Sequence, residues 1–347
     1  MNKKLQRLCK DIKSDEAFLI TSSENVFYLS GFSGEGMLVI DALRAIIVTD
    51  FRYIEDAKKN TEGFSVENID RGIENIIGKD IKKLVIEEKN ITVSRYKMYQ
   101  NKLPGTEFVD GSDKIDELRL IKDEDEIQKI KTAAEIATYA FKDIVEHLSA
   151  GVSERELALR FEYLIKKAGA SSTAFDTVVA SGKNSSMPHA CVTDRILEKG
   201  DFVTFDFGCL YDGYCSDMTR TIAIGNISDI QKDVYDIVLK AQKQALSQAM
   251  AGKQCRQVDA VARDIITDAG YKKEFGHALG HGVGILIHEQ PTLSSKSDKI
   301  LKDNMVVTIE PGIYIEGCFG VRIEDLVVIH GDTPLNLSDF TKELITV

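Results

Sequence analysis

The chain divides into two parts by the way its apolar positions recur. Through residues 1–119, short apolar runs alternate with stretches of helical spacing, which is typical of an α/β unit. The apolar runs are 18–20, 37–40, 45–48, 84–86 and 108–109. A glycine-rich turn at 31–36 lacks the GxGxxG spacing of a dinucleotide site. The pattern therefore predicts a small α/β domain over residues 1–119.

A highly charged segment, residues 114–126, separates the two parts and leads into a helix. Asp123 and Glu126 have the spacing of a capping box, and apolar residues then recur at helical intervals over 127–137. We therefore place the domain boundary near residue 120 and expect a second domain over residues 120–347.

The second part combines amphipathic helices with strands. Capping-box spacing predicts helices from Ser153 to about Ala168 and from Ser228 to about Met250, and a further helix covers roughly residues 257–268. Strand patterns fall at 202–210, 214–224, 305–309 and 322–329. This order predicts an α+β domain, an antiparallel sheet with helices packed on one face.

Composition narrows the class of protein. The 347 residues suffice for two domains, and a content of 43% hydrophobic and 29% charged residues is typical of a soluble globular protein. A net charge of −11 argues against nucleic-acid partners and anionic membranes. We find no signal-peptide stretch and no apolar run near the ~20 residues of a membrane span.

The six cysteines form no CxxC pair, which favours free thiols in a reducing cytoplasm. Cys209 and Cys215 could act as soft metal ligands, yet the carboxylates in the same segment favour a packing or reactive-thiol role. We therefore expect a cytoplasmic protein.

An acidic hairpin carries the first candidate chemistry. Asp212-Gly213 between two alternating runs predicts a two-residue turn that pairs Asp206 with Thr219. Asp206 and Asp217 then project from one sheet face with Cβ atoms ~7–8 Å apart or less, and Gly208 beside them would keep the space open. Buried without a cation, the two carboxylates would repel each other. The alternative, a solvated hairpin face, fits poorly with the apolar flanks.

His277 and His281 have the i, i+4 spacing of a helical metal pair. Three glycines argue against a helix here and favour an extended segment whose backbone approaches a ligand closely. These glycines are Gly280, Gly282 and Gly284. One imidazole then suffices as a ligand.

The remaining histidines fall into two groups. His189 and His288 lie near the acidic motifs, which favours proton transfer or substrate contact for their side chains. His147 and His330 have no chemical context and are assigned to surface or core packing.

Two further carboxylates lie beside strand patterns. Glu310 ends one strand before Pro311, and Glu324 follows Arg322 by two residues on the next strand. On one strand face, the Arg322 guanidinium would hold a ligand carboxylate in place. A structural ion pair is the alternative.

Together these motifs offer an oxygen-rich set of ligands for two divalent ions, which can ionise a water between them near neutral pH. The set is Asp206, Asp217, His281, Glu310 and Glu324. The sequence thus predicts metal-assisted hydrolysis.

The motifs resemble those of the pita-bread metallopeptidases. The segments that carry the resemblance are TFDFGCLYDGYCSDMTRT, GHGVG with His288-Glu289, TIEPGIY and GVRIED. The N-terminal segments SSENVFYLSGFSG and TDFRYIEDA, with LRLIKDEDEIQKI, resemble the creatinase-type N-terminal domain and interdomain helix of the proline-specific members. The resemblance covers nearly the whole chain and implies a pita-bread catalytic domain after a creatinase-type α/β domain.

The resemblance also implies roles for the ligands. Asp217 and Glu324 would bridge the two ions. Asp206 would complete one metal site, and His281 with Glu310 would complete the other. The bridging water would be the nucleophile, and Glu310 would accept its proton.

The resemblance assigns the other histidines to the substrate. His189 and His288 would contact it and stabilise the tetrahedral intermediate, and His277 would shape the amino-acid pocket. Because a bond before proline has no N–H, the leaving ring nitrogen must gain a proton, which makes positioned histidines useful.

Three functions remain open at this stage. Some prolidases place an arginine just after the His-Glu motif, where Thr292 stands here, so an Xaa-Pro aminopeptidase is favoured over an Xaa-Pro dipeptidase. A non-catalytic peptide-binding protein is the third reading, and the complete ligand set argues against it. The expected metals are manganese first, then cobalt or zinc, and the resemblance implies a homodimer acting on proline-containing peptides.

Overall fold

The structure is a computed structural model that describes residues 3–10 and 12–347. The chain forms two compact units, Met1–Arg119 and Leu120–Val347. Residues 1, 2 and 11, which belong to the predicted first domain, lie outside the described residues.

The first unit is an α/β arrangement around one mixed sheet. The strands pair in the order β4-β3-β2-β1-β5-β6. They are β1 Glu16–Ile20, β2 Gly36–Asp41, β3 Ala45–Thr49, β4 Ser65–Asn68, β5 Lys83–Ile86 and β6 Glu107–Asp110. The helices are α1 Lys3–Cys9, α2 Ser23–Ser30, α3 Ile54–Asn60, α4 Ile73–Ile76, α5 Val93–Lys102 and α6 Ser112–Leu120. Every predicted apolar run lies in a strand, whereas the polar strand β4 had no such signal.

The helices of the second unit begin where the capping signals predicted. Asp123, Ser153 and Ser228 each cap a helix through a reciprocal capping box. The helices are α7 Glu124–His147, α8 Glu154–Lys167, α9 Asp229–Gln248 and α10 Cys255–Asp268. A 3₁₀ helix covers Gly182–Ser186.

The strands of the second unit pair antiparallel but divide among several sheets. The sheet orders are β11-β10-β7, β12-β9-β8, β14-β13-β15-β18-β19 and β16-β17. The strands from β7 to β12 are Ser172–Thr173, Val178–Ser181, Phe202–Phe207, Cys209–Tyr211, Tyr214–Cys215 and Met218–Ala223. Those from β13 to β19 are Gly280–Gly282, Glu289–Leu293, Val306–Ile309, Gly312–Ile315, Phe319–Arg322, Asp325–Val328 and Leu335–Asn336.

The predicted hairpin turn is present, but its two long strands are each broken. Tyr211 pairs with Tyr214, and Asp212 and Gly213 adopt positive φ angles of 46° and 80°. The prediction of two unbroken strands is wrong, because β9 and β12 belong to one sheet while β10 and β11 belong to another.

The aromatic core fixes the orientation of β9. Phe205 and Phe207 are buried in a cluster with Phe141 and Phe161, and the Phe141 and Phe207 rings stack at 4.4 Å between centroids. Because side chains alternate along a strand, Asp206 between them must point to the opposite face. Burying these aromatic rings therefore directs a carboxylate away from the apolar core.

Within the part of the chain that the structure describes, we find no helix that is both long and apolar enough to cross a membrane.

Candidate metal centre

Strand pairing brings the first two candidate ligands together. β9 and β12 place Asp206 opposite Thr219, which confirms the predicted register. Asp217 directly precedes β12, two residues from Thr219. Both carboxylates thus lie on the face of the sheet that is turned away from the aromatic core.

Gly208 serves another purpose than the one predicted. A Cβ atom at this position would lie 1.9 Å from the carbonyl oxygen of Ser216. The glycine therefore permits a close backbone approach where β9 ends. The prediction that Gly208 keeps ligand space open is wrong, since the Ser216 backbone fills that space.

His281 lies in β13, and Glu310 directly follows β15, which pairs with β13 in the five-stranded sheet. The two residues share one hydroxyl group. The His281 backbone N–H donates to Thr308 Oγ1 at 3.0 Å, and Thr308 Oγ1 donates to Glu310 Oε1 at 3.0 Å. The Glu310 N–H donates to the Leu279 carbonyl at 2.8 Å. His281 Nε2 then lies 3.3 Å from Glu310 Oε1.

The segment around His281 is extended, as its glycines predicted, so His277 and His281 do not form a helical pair. Gly280 lines the cavity beside the candidate ligands. A Cβ atom at Gly280 would lie 2.0 Å from the Thr308 carbonyl oxygen, and one at Gly282 would lie 2.2 Å from that of Gln290. These two glycines therefore also allow the neighbouring strands to approach the His281 backbone.

Glu324 lies between β17 and β18 and is held by Thr219. Its N–H donates to the Thr219 carbonyl at 3.1 Å, and Thr219 Oγ1 donates to Glu324 Oε2 at 2.6 Å. The predicted single strand 322–329 is therefore wrong, because the chain changes sheets at Glu324. This break allows the Glu324 side chain to reach the Asp217 carboxylate.

Arg322 holds a candidate ligand carboxylate, as predicted, and that carboxylate is Asp206. Its Nη2 donates to Asp206 Oδ2 at 2.6 Å, and its Nε donates to Thr219 Oγ1 at 3.1 Å. Arg322 is 4% exposed, so the ion pair with Asp206 is largely shielded from water. The guanidinium therefore orients Asp206 directly and Glu324 only through Thr219.

These elements converge on a candidate metal site. One ligand atom from each of Asp217, His281 and Glu324 lies within 4.8 Å of the others. His281 Nε2 is 3.6 Å from Asp217 Oδ2. With Glu310 beside His281, four of the five predicted ligands are in direct proximity, and Asp206 joins them through Arg322 and Thr219.

Two buried oxygen atoms in this cluster have no hydrogen-bond partner among the described residues. They are Asp206 Oδ1 and Glu324 Oε1. In each residue the other carboxylate oxygen accepts a short hydrogen bond, from Arg322 or Thr219. An unpartnered buried oxygen is costly, and a divalent cation that prefers oxygen ligands would satisfy both. The residues present therefore fit a bound metal.

The electrostatics of the cluster lead to the same conclusion. Burial raises the pKa of Asp217 well above its ordinary value, and the neighbouring carboxylates, Glu324 first, raise it further. Burial likewise raises the pKa of Glu324, with Glu310 as the next contribution. Without a cation these carboxyls hold protons into a higher pH range, and a divalent ion would displace those protons.

The hydrogen bonds of His281 favour the neutral tautomer whose Nε2 lone pair can bind a metal ion. Burial lowers the pKa of His281, which favours the neutral ring. Its Nδ1 lies 3.0 Å from the Gly282 carbonyl oxygen, where only an N–H can satisfy the contact. The lone pair is then on Nε2, the atom that faces Asp217 and Glu310.

His277 is linked to Arg322 through Tyr314, a residue that the sequence analysis missed. Arg322 Nη1 donates to the Tyr314 hydroxyl at 2.8 Å, and this hydroxyl lies 3.1 Å from His277 Nε2. Burial lowers the pKa of His277 and raises that of Tyr314 to about 12. The neutral His277 ring can therefore accept the Tyr314 proton in a hydrogen bond.

A cavity of about 650 Å³ opens over the candidate metal site. His189 and His288 line it together with Cys191. The His288 ring packs edge-on against His281 with centroids 4.4 Å apart, and burial lowers the pKa of His288. Both histidines that were predicted to contact the substrate thus line this cavity.

Two histidines and the two hairpin thiols are not among the described residues that line the cavity: His147, His330, Cys209 and Cys215. His147 contacts Asp143 and Arg160 at the surface, and His330 is exposed. The thiols of Cys9, Cys191, Cys209, Cys255 and Cys318 are free. Burial raises the pKa of Cys209 to about 12, so its thiol is a poor source of the thiolate that a soft metal requires.

The sequence analysis did not single out Thr219, Thr308 and Tyr314 as functional residues. Thr219 had one available signal, because the hairpin register placed it opposite Asp206. Thr308 precedes Glu310 by two residues and so shares its side of β15. Tyr314 carried no local signal, since its role depends on a contact with Arg322.

Two known family patterns match the chain. Residues 128–331 match metallopeptidase family M24, and residues 2–121 match the creatinase/prolidase N-terminal domain. The chain therefore belongs to metallopeptidase family M24. The predicted pita-bread catalytic domain after a creatinase-type N-terminal domain is confirmed.

Individual relatives are similar over nearly the full length. An Xaa-Pro dipeptidase from Pyrococcus furiosus is 39% identical, with 99% of this chain and 100% of that protein covered. The structure of an Xaa-Pro dipeptidase from Bacillus anthracis superposes with a TM-score of 0.96 at 40% identity, covering 99% of each chain. An X-Pro aminopeptidase from Thermotoga maritima gives 0.92 at 38% identity, covering 99% of this chain and 100% of that one.

Proposed function

We propose that the chain is an Xaa-Pro dipeptidase that acts with two divalent metal ions, manganese first among the candidates. The observation that carries the metal-dependent chemistry is the pair of unpartnered buried oxygens, Asp206 Oδ1 and Glu324 Oε1. The choice of a dipeptidase rests on the relatives, among which the Xaa-Pro dipeptidases are similar to both of its domains.

Five residues would hold the two ions. They are Asp206, Asp217, His281, Glu310 and Glu324. When bound, such ions lower the pKa of a water so that it is a nucleophile near neutral pH. Burial first, and repulsion from Glu324 next, raise the pKa of Asp217, and the positive charge of bound ions would offset both effects.

The protein's own groups would handle the protons. Glu310 would accept a proton from the attacking water, with Thr308 donating to its Oε1 and fixing the carboxylate. Burial raises the pKa of Glu310, which brings it nearer the range of an effective general base. The leaving proline nitrogen must gain a proton, and His189 and His288 line the cavity where that atom would lie.

Arg322 and His277 would have supporting roles. Arg322 orients Asp206 and reaches the Tyr314 hydroxyl, so one guanidinium connects a metal ligand to the wall of the cavity. His277, hydrogen-bonded to Tyr314, would shape the pocket for the amino-acid side chain.

An Xaa-Pro aminopeptidase is the second candidate, and a specific observation favours it. Among the described residues that line the cavity, Arg322 is the only arginine or lysine, and Asp206 already engages it. Thr292, an uncharged residue, lies in the cavity wall, where a dipeptidase would need a cationic side chain to bind the free carboxylate of its substrate. The similarity to the Thermotoga maritima aminopeptidase is in keeping with this reading.

A peptide-length assay distinguishes the candidates. The full chain, reconstituted with Mn²⁺, is given Xaa-Pro dipeptides and Xaa-Pro-Xaa tripeptides of the same first residue. The dipeptidase proposal predicts hydrolysis of the dipeptide and little of the tripeptide. Efficient cleavage of the tripeptide would favour the aminopeptidase. No hydrolysis of either, with Mn²⁺ or Co²⁺, would overturn the enzyme proposal in favour of a binding protein.

The domain limits are part of the proposal, with a creatinase-like N-terminal domain over residues 1–119 and a catalytic domain over 120–347. A cytoplasmic location and a homodimer remain predictions as well. Size-exclusion chromatography with light scattering would test the dimer.

A further inference from the structure

Glu154 is a buried carboxylate outside the cavity, and no part of the proposed chemistry uses it. It is the first residue of α8 and is 0% exposed. A carboxylate so far from water must be matched by donors, because burying an unmatched charge is costly.

Five hydrogen bonds match this carboxylate. Its Oε1 accepts from Ser181 N at 2.8 Å, Ser181 Oγ at 2.7 Å and Asn184 Nδ2 at 3.2 Å. Its Oε2 accepts from Thr193 N at 3.0 Å and Thr193 Oγ1 at 2.6 Å. Each oxygen therefore holds one end of the segment between Ser181 and Thr193.

That segment, residues 181–193, carries His189. We name it the His189 loop. His189 and Cys191, in the second half of the loop, line the cavity over the candidate metal site. Glu154 thus closes the base of a loop that forms part of the cavity wall.

The middle of the His189 loop is attached to a different element. Arg322 Nη1 donates to the Pro188 carbonyl oxygen at 3.2 Å, and the Gly320 N–H donates to Ser185 Oγ at 2.9 Å. Both donors belong to β17, whose Arg322 also holds Asp206. With its base fixed by Glu154 and its middle by β17, the His189 loop is aligned against the candidate ligands.

Glu154 is also connected to Arg195 through the Ser181 hydroxyl of the loop. Arg195 Nη1 donates to Ser181 Oγ at 2.6 Å, and that hydroxyl in turn donates to Glu154. Arg195 also pairs with Asp201, at 3.0 Å from Nη2 to Oδ1. The donors around Glu154 include two backbone N–H groups, which require an acceptor at both carboxylate oxygens.

We infer that Glu154 is a positioning residue that sets the place of His189 in the cavity. This inference rests on the proposed function, in which His189 contacts the substrate. A glutamine at position 154 has the same shape but presents an NH₂ group to one end of the loop. One of the two ends would then face a donor instead of an acceptor and would move.

The test is a double-mutant cycle with Glu154→Gln, His189→Ala and the double variant, each as the full chain loaded with Mn²⁺. The assay measures kcat/KM on an Xaa-Pro dipeptide, with the thermal midpoint and metal content measured in parallel. Misplacing a substrate-contacting group by ~1 Å can lower the rate about 100-fold. We expect E154Q to lose about 10- to 100-fold with normal metal content.

The double variant separates positioning from general destabilisation. If Glu154 acts through His189, E154Q/H189A should be no slower than H189A alone. Independent, multiplying losses would overturn the inference, as would wild-type kcat/KM in E154Q. If H189A itself retains wild-type activity, His189 has no substrate role and the inference falls with it. Wild-type protein inactive on every peptide would instead contradict the proposed function.

Two further variants keep the test decisive. Glu156→Gln is the matched control, since Glu156 lies on the same helix, is exposed and accepts from Ser153 without touching the His189 loop. We expect E156Q to keep wild-type kcat/KM. If E154Q does not fold, Thr193→Val replaces it in the double-mutant cycle. This substitution removes the hydroxyl that donates to Glu154 Oε2 at the Thr193 end of the loop.

Discussion

Arg322 Nη2 lies 2.6 Å from Asp206 Oδ2, and this buried contact joins two strands that are far apart in the sequence. The same guanidinium also donates to Thr219, Pro188 and Tyr314. A single side chain therefore fixes one candidate metal ligand directly and another through a hydroxyl. Its substitution should show how far the metal centre depends on residues that do not bind metal.

Arg322→Met should lower metal affinity about 10- to 100-fold, because the orientation of Asp206 is lost. It should also destabilise the metal-free protein by about 3–5 kcal/mol, since a buried carboxylate is left without its partner. Calorimetric Mn²⁺ titration and denaturant unfolding measure the two effects. Arg322→Lys keeps the charge but cannot reach all four partners. Its metal affinity and its stability should therefore lie between those of the wild type and R322M. Unchanged affinity in R322M would contradict this role.

Glu310→Ala should abolish turnover, with an expected loss of about 100- to 10,000-fold in kcat for a general base. Metal content must be measured alongside, because Glu310 is also a candidate ligand. Glu310→Gln keeps the shape of the side chain and one oxygen atom that can bind metal, but it cannot accept the proton. It should therefore be nearly as slow as E310A while retaining more metal. Glu316→Gln, an exposed neighbour, serves as control and should remain active. Wild-type turnover in E310A would contradict the proposed role of Glu310 in the site.

The stability of the metal-free protein should depend on pH in a definite direction. Burial and neighbouring carboxylates raise the pKa values of Asp217 and Glu324, so the folded state binds more protons than the unfolded chain. Stability is then lost as pH rises above about 4, where carboxyls of the unfolded chain ionise, and the loss continues until the folded carboxyls ionise.

A bound metal should cancel this loss, because it replaces the protons. We therefore expect the difference in thermal midpoint between Mn²⁺-loaded and chelator-treated protein to increase from pH 5 to pH 8. Each kcal/mol corresponds to roughly 2–4 °C for a domain of this size. Asp217→Asn removes one of the raised carboxyls, so the midpoint of the metal-free variant should fall less steeply. A difference in thermal midpoint that narrows with rising pH would contradict this expectation.

Cys191 should make the enzyme sensitive to thiol reagents. Cys191 and Cys318 are both exposed, but only Cys191 lines the cavity. N-ethylmaleimide should therefore inhibit wild-type protein and Cys318→Ser alike, whereas Cys191→Ser should resist. Saturating substrate should slow the inactivation. Equal inhibition of C191S and wild type, with modification confirmed by mass spectrometry, would place the reactive thiol elsewhere.

Local signals predicted much of the fold. The apolar runs of the first unit all lie in strands, and Asp123, Ser153 and Ser228 cap helices as expected, because these features depend on neighbouring residues alone. The hairpin register also followed from local chemistry, since Asp212 and Gly213 can adopt the positive φ angles that the turn requires.

The breaks in the long strands could not be predicted in this way. The segment 322–329 has a continuous strand pattern, yet the chain changes sheets at Glu324. The cause is a contact with a distant strand, the hydrogen bond from the Glu324 N–H to the Thr219 carbonyl. A pattern of local alternation contains no information about such a partner.

The sequence by itself determined the candidate ligand set. Carboxylates and an imidazole beside apolar strands seldom serve packing, whereas they are common in metal and catalytic sites. It also determined that Asp206 and Asp217 share one sheet face, since register follows from the turn. Only the tertiary structure decided which groups support them. Arg322 holds Asp206, and Thr219 holds Glu324, because strands from separate sheets meet there. The same holds for Tyr314 and Glu154, whose partners are distant in sequence and meet them only once the sheets and helices have packed.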